Sequence, residues 1–247
     1  MLFRSVSESE PLSGAYRDVL LHAILASRRE PFDPMERAFL DVGHRHQIGR
    51  ERASWTLLHE YALSDRLQAV GQVWRCPGDD GTLQASLKGA PEAVVGLCAG
   101  TPQVQARTLA VVERLAGSGF RVLGVAKAAV VESYPADVRD VPWEFVGLVA
   151  LADPIRPGVP EAIDECARAH IRVVMLTGDY PATALHIARQ IGLPRAGRCL
   201  TGRDLATMPD HALQAAIAEV DVFARMVPEQ KLRLVRALQA AGHVVAM

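Results

Sequence analysis

The residues best suited to chemistry stand at the end of an apolar run, Val173-Val174-Met175-Leu176-Thr177-Gly178-Asp179-Tyr180-Pro181. A hydroxyl, a glycine and a carboxylate follow a strand-like stretch, and a proline then opens what reads as a helix. In open α/β sheets ligands bind beyond the carboxyl ends of the strands. Thr177 and the free amides of the helix start could hold a phosphate there, with Gly178 letting the backbone come close. Alternatively, Thr177 and Asp179 only cap the helix. A second junction, Phe223-Ala224-Arg225-Met226-Val227-Pro228-Glu229-Gln230-Lys231, sets Arg225 at a strand end and Lys231 one turn into a helix. A cation so placed can reach a phosphate at the sheet edge; the alternative is a lysine on a solvated helix face. Composition adds weight, because the sequence has only three lysines (Lys88, Lys127 and Lys231) against 24 arginines. Lys88 opens Lys88-Gly89-Ala90-Pro91-Glu92, a lysine at a strand end before a glycine and a helix-opening proline. That arrangement suits a nucleotide lying along the strand, and it equally describes a strand-to-helix turn with an exposed lysine.

These residues need a scaffold, and 247 residues suffice for two modest domains or one large one. Apolar residues make up 49% and charged ones 22%, the balance of a chain that buries a core without disulfide staples. A net charge of −1 provides no global basic field for nucleic acid or an anionic membrane. Cys76, Cys98, Cys166 and Cys199 form no Cys-x-x-Cys pair and read as reduced thiols. His44 and His46 lack a further ligand pair at metal spacing and read as part of a solvated helix end. No run approaches the ~20 apolar residues that span a bilayer. The chain ends on His243-Val244-Val245-Ala246-Met247, which reads as a buried strand at a boundary within a longer polypeptide.

The first half combines helices with a hairpin-rich sheet. Tyr16, Val19, Leu20, Ala23 and Ile24 have helical spacing, and Asp33-Pro34-Met35-Glu36 carries the signature of a helix start. Trp55 to Leu58 and Gln72 to Trp74 are β-prone, and Pro77 to Gly81 reads as a turn. Helices are predicted from Pro91 and over Gln103 to Ala116, and a strand over Phe120 to Ala129. Tyr134 to Pro142 is the candidate link between domains 1–142 and 143–247. Beyond it, strands over Phe145–Ala150, Ile171–Leu176 and Asp221–Ala224 alternate with helices over Pro157–Ala169, Pro181–Ile191 and Pro228–Ala241. Such alternation, with nearly all-apolar strands, predicts a parallel sheet covered on both faces.

Taken in order, these segments resemble the cytoplasmic nucleotide-binding and phosphorylation domains of P-type cation-transporting ATPases. The resemblance rests on Lys88-Gly89-Ala90-Pro91-Glu92, on Asp153-Pro154 with Arg156, on Thr177-Gly178-Asp179, and on Arg225 through Pro228 to Lys231. Asp33 to Ala38 looks like the segment that brings a glutamate to the adenine site, and Gly119 to Leu123 like the strand whose arginine faces the nucleotide. The resemblance implies that Glu36 and Lys88 line an adenine pocket, with Gly89 and Ala90 allowing close approach. Leu63 stands in the place of the stacking aromatic, and Tyr61, two residues earlier, could substitute. Arg121 is expected to reach toward the phosphates. Asp153, Thr177, Gly178, Asp179, Arg225 and Lys231 are expected around the ribose-phosphate end, with Thr177 and Lys231 in catalytic roles. There Lys231 would offset charge on the transferred phosphoryl group.

The resemblance also implies a fold: an antiparallel sheet with flanking helices, followed by an incomplete Rossmann-like parallel sheet of the haloacid-dehalogenase type. It implies ATP as ligand, Mg²⁺ in the parent enzyme, and transmembrane and actuator domains of the same polypeptide as partners. The parent would be a multi-pass membrane protein with this segment on the cytoplasmic face. Two family motifs do not occur: Asp-Lys-Thr-Gly-Thr, with the aspartate that is phosphorylated, and Gly-Asp-Gly-x-Asn-Asp, which holds Mg²⁺. Steady turnover by the chain alone is therefore not expected, no metal site is assigned within it, and any dimer would reflect exposed sheet edges. The motifs fit light-cation rather than heavy-metal pumps, and the transported ion is chosen elsewhere. Two other readings remain: a stand-alone nucleotide-binding regulatory module, and a soluble haloacid-dehalogenase-type phosphatase. Asp79-Asp80-Gly81-Thr82-Leu83 resembles the nucleophile loop of the latter, but Gly78 occupies the nucleophile's position and the segment reads as a hairpin turn.

Overall fold

The computed structural model describes residues 12, 14–64, 67–78, 82–131, 133–152 and 154–246. The chain divides into two compact units, Met1–Val112 with Val122–Leu151, and Glu113–Arg121 with Ala152–Met247.

In the first unit α1 (Ala15–Leu25) and α2 (Pro34–His46) precede a sheet. The start of α2 follows its sequence signature: the Asp33 side chain accepts from the Met35 amide, and Pro34 occupies the first turn. Strands β1 (Thr56–Tyr61), β2 (Ala69–Arg75), β3 (Thr82–Gly89), β4 (Phe120–Val131) and β5 (Glu144–Ala152) lie in sequence order, with antiparallel pairing through β1–β2, β2–β3 and β3–β4. Helices α3 (Pro91–Leu97) and α4 (Pro102–Gly117) fall between β3 and β4, and the end of α4 from Glu113 together with Phe120 and Arg121 at the start of β4 belongs to the second unit.

Side chains alternate across these strands, so the sheet has two apolar faces. One carries Leu83, Ala85, Leu87, Ala126 and Ala128 with Val94 of α3; the other packs Val125 against Leu20, Ile24 and Phe39 of α1 and α2. The apolar run at Phe145–Ala150 does form a strand, but its place is the fifth position of this sheet rather than the parallel one. Phe145 packs toward one face, and Val146, Val149 and Leu151 toward the other. Burial on both faces gives such a strand the continuous apolar pattern that parallel strands also show. The segment Tyr134–Pro142, read from sequence as a link, packs onto the first face through Val141, with Trp143 beside it.

The second unit contains α5 (Val159–Arg168), β6 (Met175–Leu176), α6 (Pro181–Gln190), β7 (Cys199–Thr201), α7 (Gly202–Thr207), α8 (Asp210–Glu219), β8 (Val222–Ala224) and α9 (Pro228–Ala240). Its strands are parallel in the order β6-β8-β7. Phe223 and Leu200 face the α7–α9 side, while Val222 and Ala224 face α6. The sheet is thus covered on both faces, as the strand–helix alternation requires. Strand β7 and helices α7 and α8 have no counterpart in the sequence reading. The closing stretch departs from expectation: residues 243–246 form no strand, and Val244 is fully exposed. An apolar segment becomes a strand only where a neighbour takes its backbone hydrogen bonds, and none of the described strands pairs with it.

Candidate functional site

Two constellations carry the sequence-predicted residues, one in each unit. In the first, register decides which side chains meet. Val70 pairs with Lys88, while Gly71 pairs with both Leu87 and Tyr61. Lys88 therefore points to the face covered by α1 and α2. It is 5% exposed, a rare state for a lysine unless it is paired. Its Nζ donates to Glu36 Oε1 at 2.5 Å and to Ser27 Oγ, and lies 5.5 Å from the centroid of the Phe39 ring. Burial pushes the Lys88 pKa down, and the hydrogen bond and charge of Glu36 pull it back up. Glu36 reaches this point because it occupies the first turn of α2, where Asp33 and Pro34 set the helix start.

The same register corrects the role expected of Tyr61. Its ring shares the Leu87 face, opposite Lys88, is 6% exposed, and its hydroxyl donates to Pro135 O at 2.6 Å. Tyr61 is a core residue and cannot stand in as a stacking platform beside Lys88, because it aligns with Leu87 and successive residues of a strand face opposite sides. Leu63 lies beyond the end of β1 and is 66% exposed. Gly89 has a packing reason of its own: a Cβ there would overlap Gln68 O and sit 2.5 Å from Ala69 Cα. Ala90 is buried, and its amide donates to Gln68 O at 2.8 Å. The close approach permitted at Gly89 is thus filled by the chain itself.

In the second unit the loops leaving β6 and β8 are joined. Met226 N donates to Thr177 O at 3.0 Å and Arg225 N to Asp179 O at 3.1 Å. Thr177 Oγ1 donates to Asp179 Oδ2 at 2.8 Å and accepts from the Asp179 amide at 3.1 Å. Arg121 Nε lies 3.4 Å from Asp179 Oδ1. Helix α6 begins after Tyr180 with no side-chain cap, so Thr177 and Asp179 bond to each other instead of capping it. Gly178 is exposed, with nothing within 4 Å of where a Cβ would be, which leaves the loop's surface open.

Arg225 holds a φ of +52°, a left-handed conformation uncommon outside glycine, and its guanidinium lies 5.4 Å from the Tyr180 ring centroid. Lys231 is half-buried in the first turns of α9, and Gln230 beside it accepts from Val227 N and donates to Gly202 O at 2.8 Å. Thr177, Asp179, Arg121 and Arg225 therefore belong to one network at the carboxyl edge of the parallel sheet, where uncapped amides and cations suit an anion. Asp153 lies outside the described residues, as do Asp79, Asp80 and Gly81 of the turn between the β-prone runs.

Two residues of the first constellation are absent from the sequence reading: Ser27 and Arg52. Ser27 Oγ accepts from Lys88 across 61 positions of sequence, and no local pattern reports such a contact. Among the described residues no three His, Cys, Asp or Glu gather as a metal cluster. Cys98, Cys166 and Cys199 are free thiols. Among the described residues no helix is long and apolar enough to cross a membrane.

Comparison with known proteins accords with these features. The model of the haloacid dehalogenase-like hydrolases matches residues 15–247. The probable cation-transporting ATPase F of Mycobacterium tuberculosis is 38% identical over 235 residues, covering 87% of this chain and 25% of that protein. Calcium-transporting ATPase 1 of Yarrowia lipolytica is 34% identical over 69% of this chain and 20% of its own length. The calcium-transporting ATPase of Bacillus subtilis is 30% identical over 87% and 26%. The chain thus spans about a quarter of the length of these relatives. With its separate antiparallel and parallel sheets and its four motifs in family order, the chain belongs to the haloacid dehalogenase-like hydrolases and is homologous to the P-type cation-transporting ATPases.

Proposed function

We propose that this chain is the ATP-binding cytoplasmic portion of a P-type ATPase that couples ATP hydrolysis to cation transport across a membrane. The observation that carries the reading is the buried Lys88–Glu36 pair, built from two separate motifs at 2.5 Å. In this reading the first unit is the nucleotide-binding domain and the second a partial phosphorylation domain. Lys88 and Glu36 take the adenine end, with Leu63 at its margin. Arg121, Thr177, Gly178, Asp179 and Arg225 hold the ribose and phosphates, and Asp153 joins them. The roles of these residues are to bind and orient. Thr177 offers a hydroxyl and Asp179 fixes it, while Lys231 supplies a positive charge for the phosphoryl group in transit. The aspartate that accepts the phosphoryl group and the main ligands of Mg²⁺ belong to other segments of the parent, as do the transmembrane and actuator domains. This chain by itself binds ATP without steady turnover.

The test is a titration of the isotopically labelled chain with ATP to millimolar concentration. Amide signals near Glu36, Lys88 and Arg121 shift, and Lys88→Ala abolishes the shifts around the first two. Unmoved signals, or intact binding in Lys88→Ala, refute the adenine-site assignment. Sustained ATP hydrolysis by the purified chain refutes the claim that the phosphorylated aspartate lies elsewhere.

A further inference from the structure

The turn that follows α1 is held by a side chain from a different part of the chain. Arg52 sits in the short 3-10 turn Arg50–Ser54 and is 6% exposed. Its Nη1 donates to Ile24 O at 3.1 Å and its Nη2 to Ser27 O at 2.5 Å. Those carbonyls belong to the end of a helix, where acceptors lack intrahelical donors and a cation is favoured. The guanidinium also lies over the fully buried Trp74, 5.0 Å from the ring centroid, and the Trp74 indole N–H donates to Leu25 O at 2.8 Å. Three carbonyls between Ile24 and Ser27 are thereby held by side chains from outside the helix.

Ser27 is the residue that this grip presents to Lys88. It has no exposed surface, its hydroxyl donates to Ala23 O at 2.7 Å, and that hydroxyl accepts from the Lys88 ammonium. With its proton committed to Ala23, the hydroxyl oxygen can only accept from Lys88. Charge couples the same residues. Glu36 is the carboxylate that raises the pKa of both Lys88 and Arg52, while Arg52 in turn lowers that of Lys88. Both cations are more than nine-tenths buried, and Lys88 is the one that bonds Glu36. Arg52 remains charged at neutral pH even though burial, then Arg29, bring its pKa down to about 10. Its Nε is buried without a partner among the described residues, so the side chain is held by its two carbonyls and the indole.

We propose that Arg52 is a positioning residue for Lys88: by clamping Ile24 O and Ser27 O it sets the serine hydroxyl that, with Glu36, aims the ammonium at the nucleotide base. The consequence for binding rests on the adenine-site reading above, whereas the effect on Lys88 itself does not.

The two parts are tested separately. The chain contains only three lysines, so their side-chain resonances are readily assigned in a lysine-labelled sample. Arg52→Met keeps the apolar stem over Trp74 and removes the donors. It shifts the Lys88 Cε and Nζ signals, leaves those of Lys127 and Lys231 in place, and weakens ATP binding about tenfold, as losing one charge-assisted hydrogen bond would. Ser27→Ala moves the Lys88 signals in the same sense, and Arg52→Lys, which retains the charge but not the two-nitrogen fork, recovers part of the affinity. A folded Arg52→Met with wild-type Lys88 signals overturns the proposal. If that variant does not fold, unchanged Lys88 signals in both Ser27→Ala and Arg52→Lys overturn it. Wild-type chain that binds no ATP refutes the adenine site, while the Lys88 signals still decide whether Arg52 positions the lysine.

Discussion

The pair of Lys88 and Glu36 allows the packing role of a buried charge to be separated from any role in binding. The side chains are 7% and 13% exposed and meet at 2.5 Å, so each compensates the other's loss of water. Breaking a buried pair by removing one partner typically costs about 3–5 kcal/mol, whereas replacing both by apolar or neutral groups of similar shape is often close to neutral. Lys88→Met leaves Glu36 with the Arg28 amide at 3.3 Å as its remaining donor among the described residues, and a loss of about 3 kcal/mol is expected. Glu36→Gln acts differently, because Lys88 can shed its proton. Burial already lowers the Lys88 pKa, and without the hydrogen bond and charge of Glu36 it falls further. A lysine whose folded pKa lies below its unfolded value stabilises the fold less as pH falls, since the unfolded chain binds the extra proton. The deficit of Glu36→Gln is therefore largest near neutral pH and narrows toward the ordinary lysine pKa of 10.5. The double variant should recover at least about 2 kcal/mol of the summed single losses. Urea unfolding followed by tryptophan fluorescence is suited to this, because Trp55, Trp74 and Trp143 all lie in the first unit. Losses that add to within about 0.5 kcal/mol would show that the two side chains do not depend on each other and would refute the pairing.

Four further outcomes are expected. His22 is 4% exposed with Nδ1 2.8 Å from Ser86 Oγ, and burial lowers its pKa from 6.5 to about 4 against the opposing charge of Asp18. The unfolded chain then takes up a proton that the folded one refuses, so the first unit loses stability as pH falls from 6.5 toward 4, by about 2 kcal/mol at pH 5; a His22→Gln variant with an equally steep pH dependence would contradict this. Gly89→Ala should cost about 1–3 kcal/mol through overlap with Gln68 O and Ala69, read as a lower urea midpoint; an unchanged midpoint would mean that the glycine is not required by packing. Arg225→Gly relieves a φ of +52° and should stabilise the second unit by up to about 1 kcal/mol in thermal melts, while weakening phosphate binding; lower stability would argue against strain at this position. Tyr61→Phe loses the bond to Pro135 O, a cost of about 1 kcal/mol, and leaves ATP affinity unchanged; weaker ATP binding would return Tyr61 to the nucleotide site.

Much of the framework was legible because its signals are local. Asp33-Pro34 starts α2, Pro181 starts α6 and Pro228 starts α9, each placing proline in a first turn where its missing N–H costs nothing. Gly192, at φ +75°, lies just past the end of α6, where a left-handed glycine commonly closes a helix. Of the second unit's missed elements β7 and α7 are short, and the three residues of Cys199–Thr201 carry too little pattern to announce a strand, whereas α8 is as long as α6 but starts after Pro209 with no side-chain cap to mark it. One signal was present: Thr201 and Asp204 form a reciprocal capping box at the start of α7, a spacing that can be read from the chain. The apolar run of β5 was legible as a strand but not as a member of the antiparallel sheet, because two-sided burial looks alike in either context.

For the sites, the sequence by itself determined which residue types stand at strand ends and helix starts, and in what order, which is enough to place Lys88, Glu36, Thr177, Asp179, Arg225 and Lys231 among candidates. Tertiary structure alone decided the rest. Strand register put Tyr61 on the face opposite Lys88, since neighbouring strands align alternate residues and one position changes the side. The end of α1 brought Ser27 to Lys88, and the turn before β1 brought Arg52 to Ser27, contacts spanning 61 and 25 positions that no spacing rule connects. Local pattern follows from backbone geometry within a few residues; a lysine's partners follow from how separate elements pack.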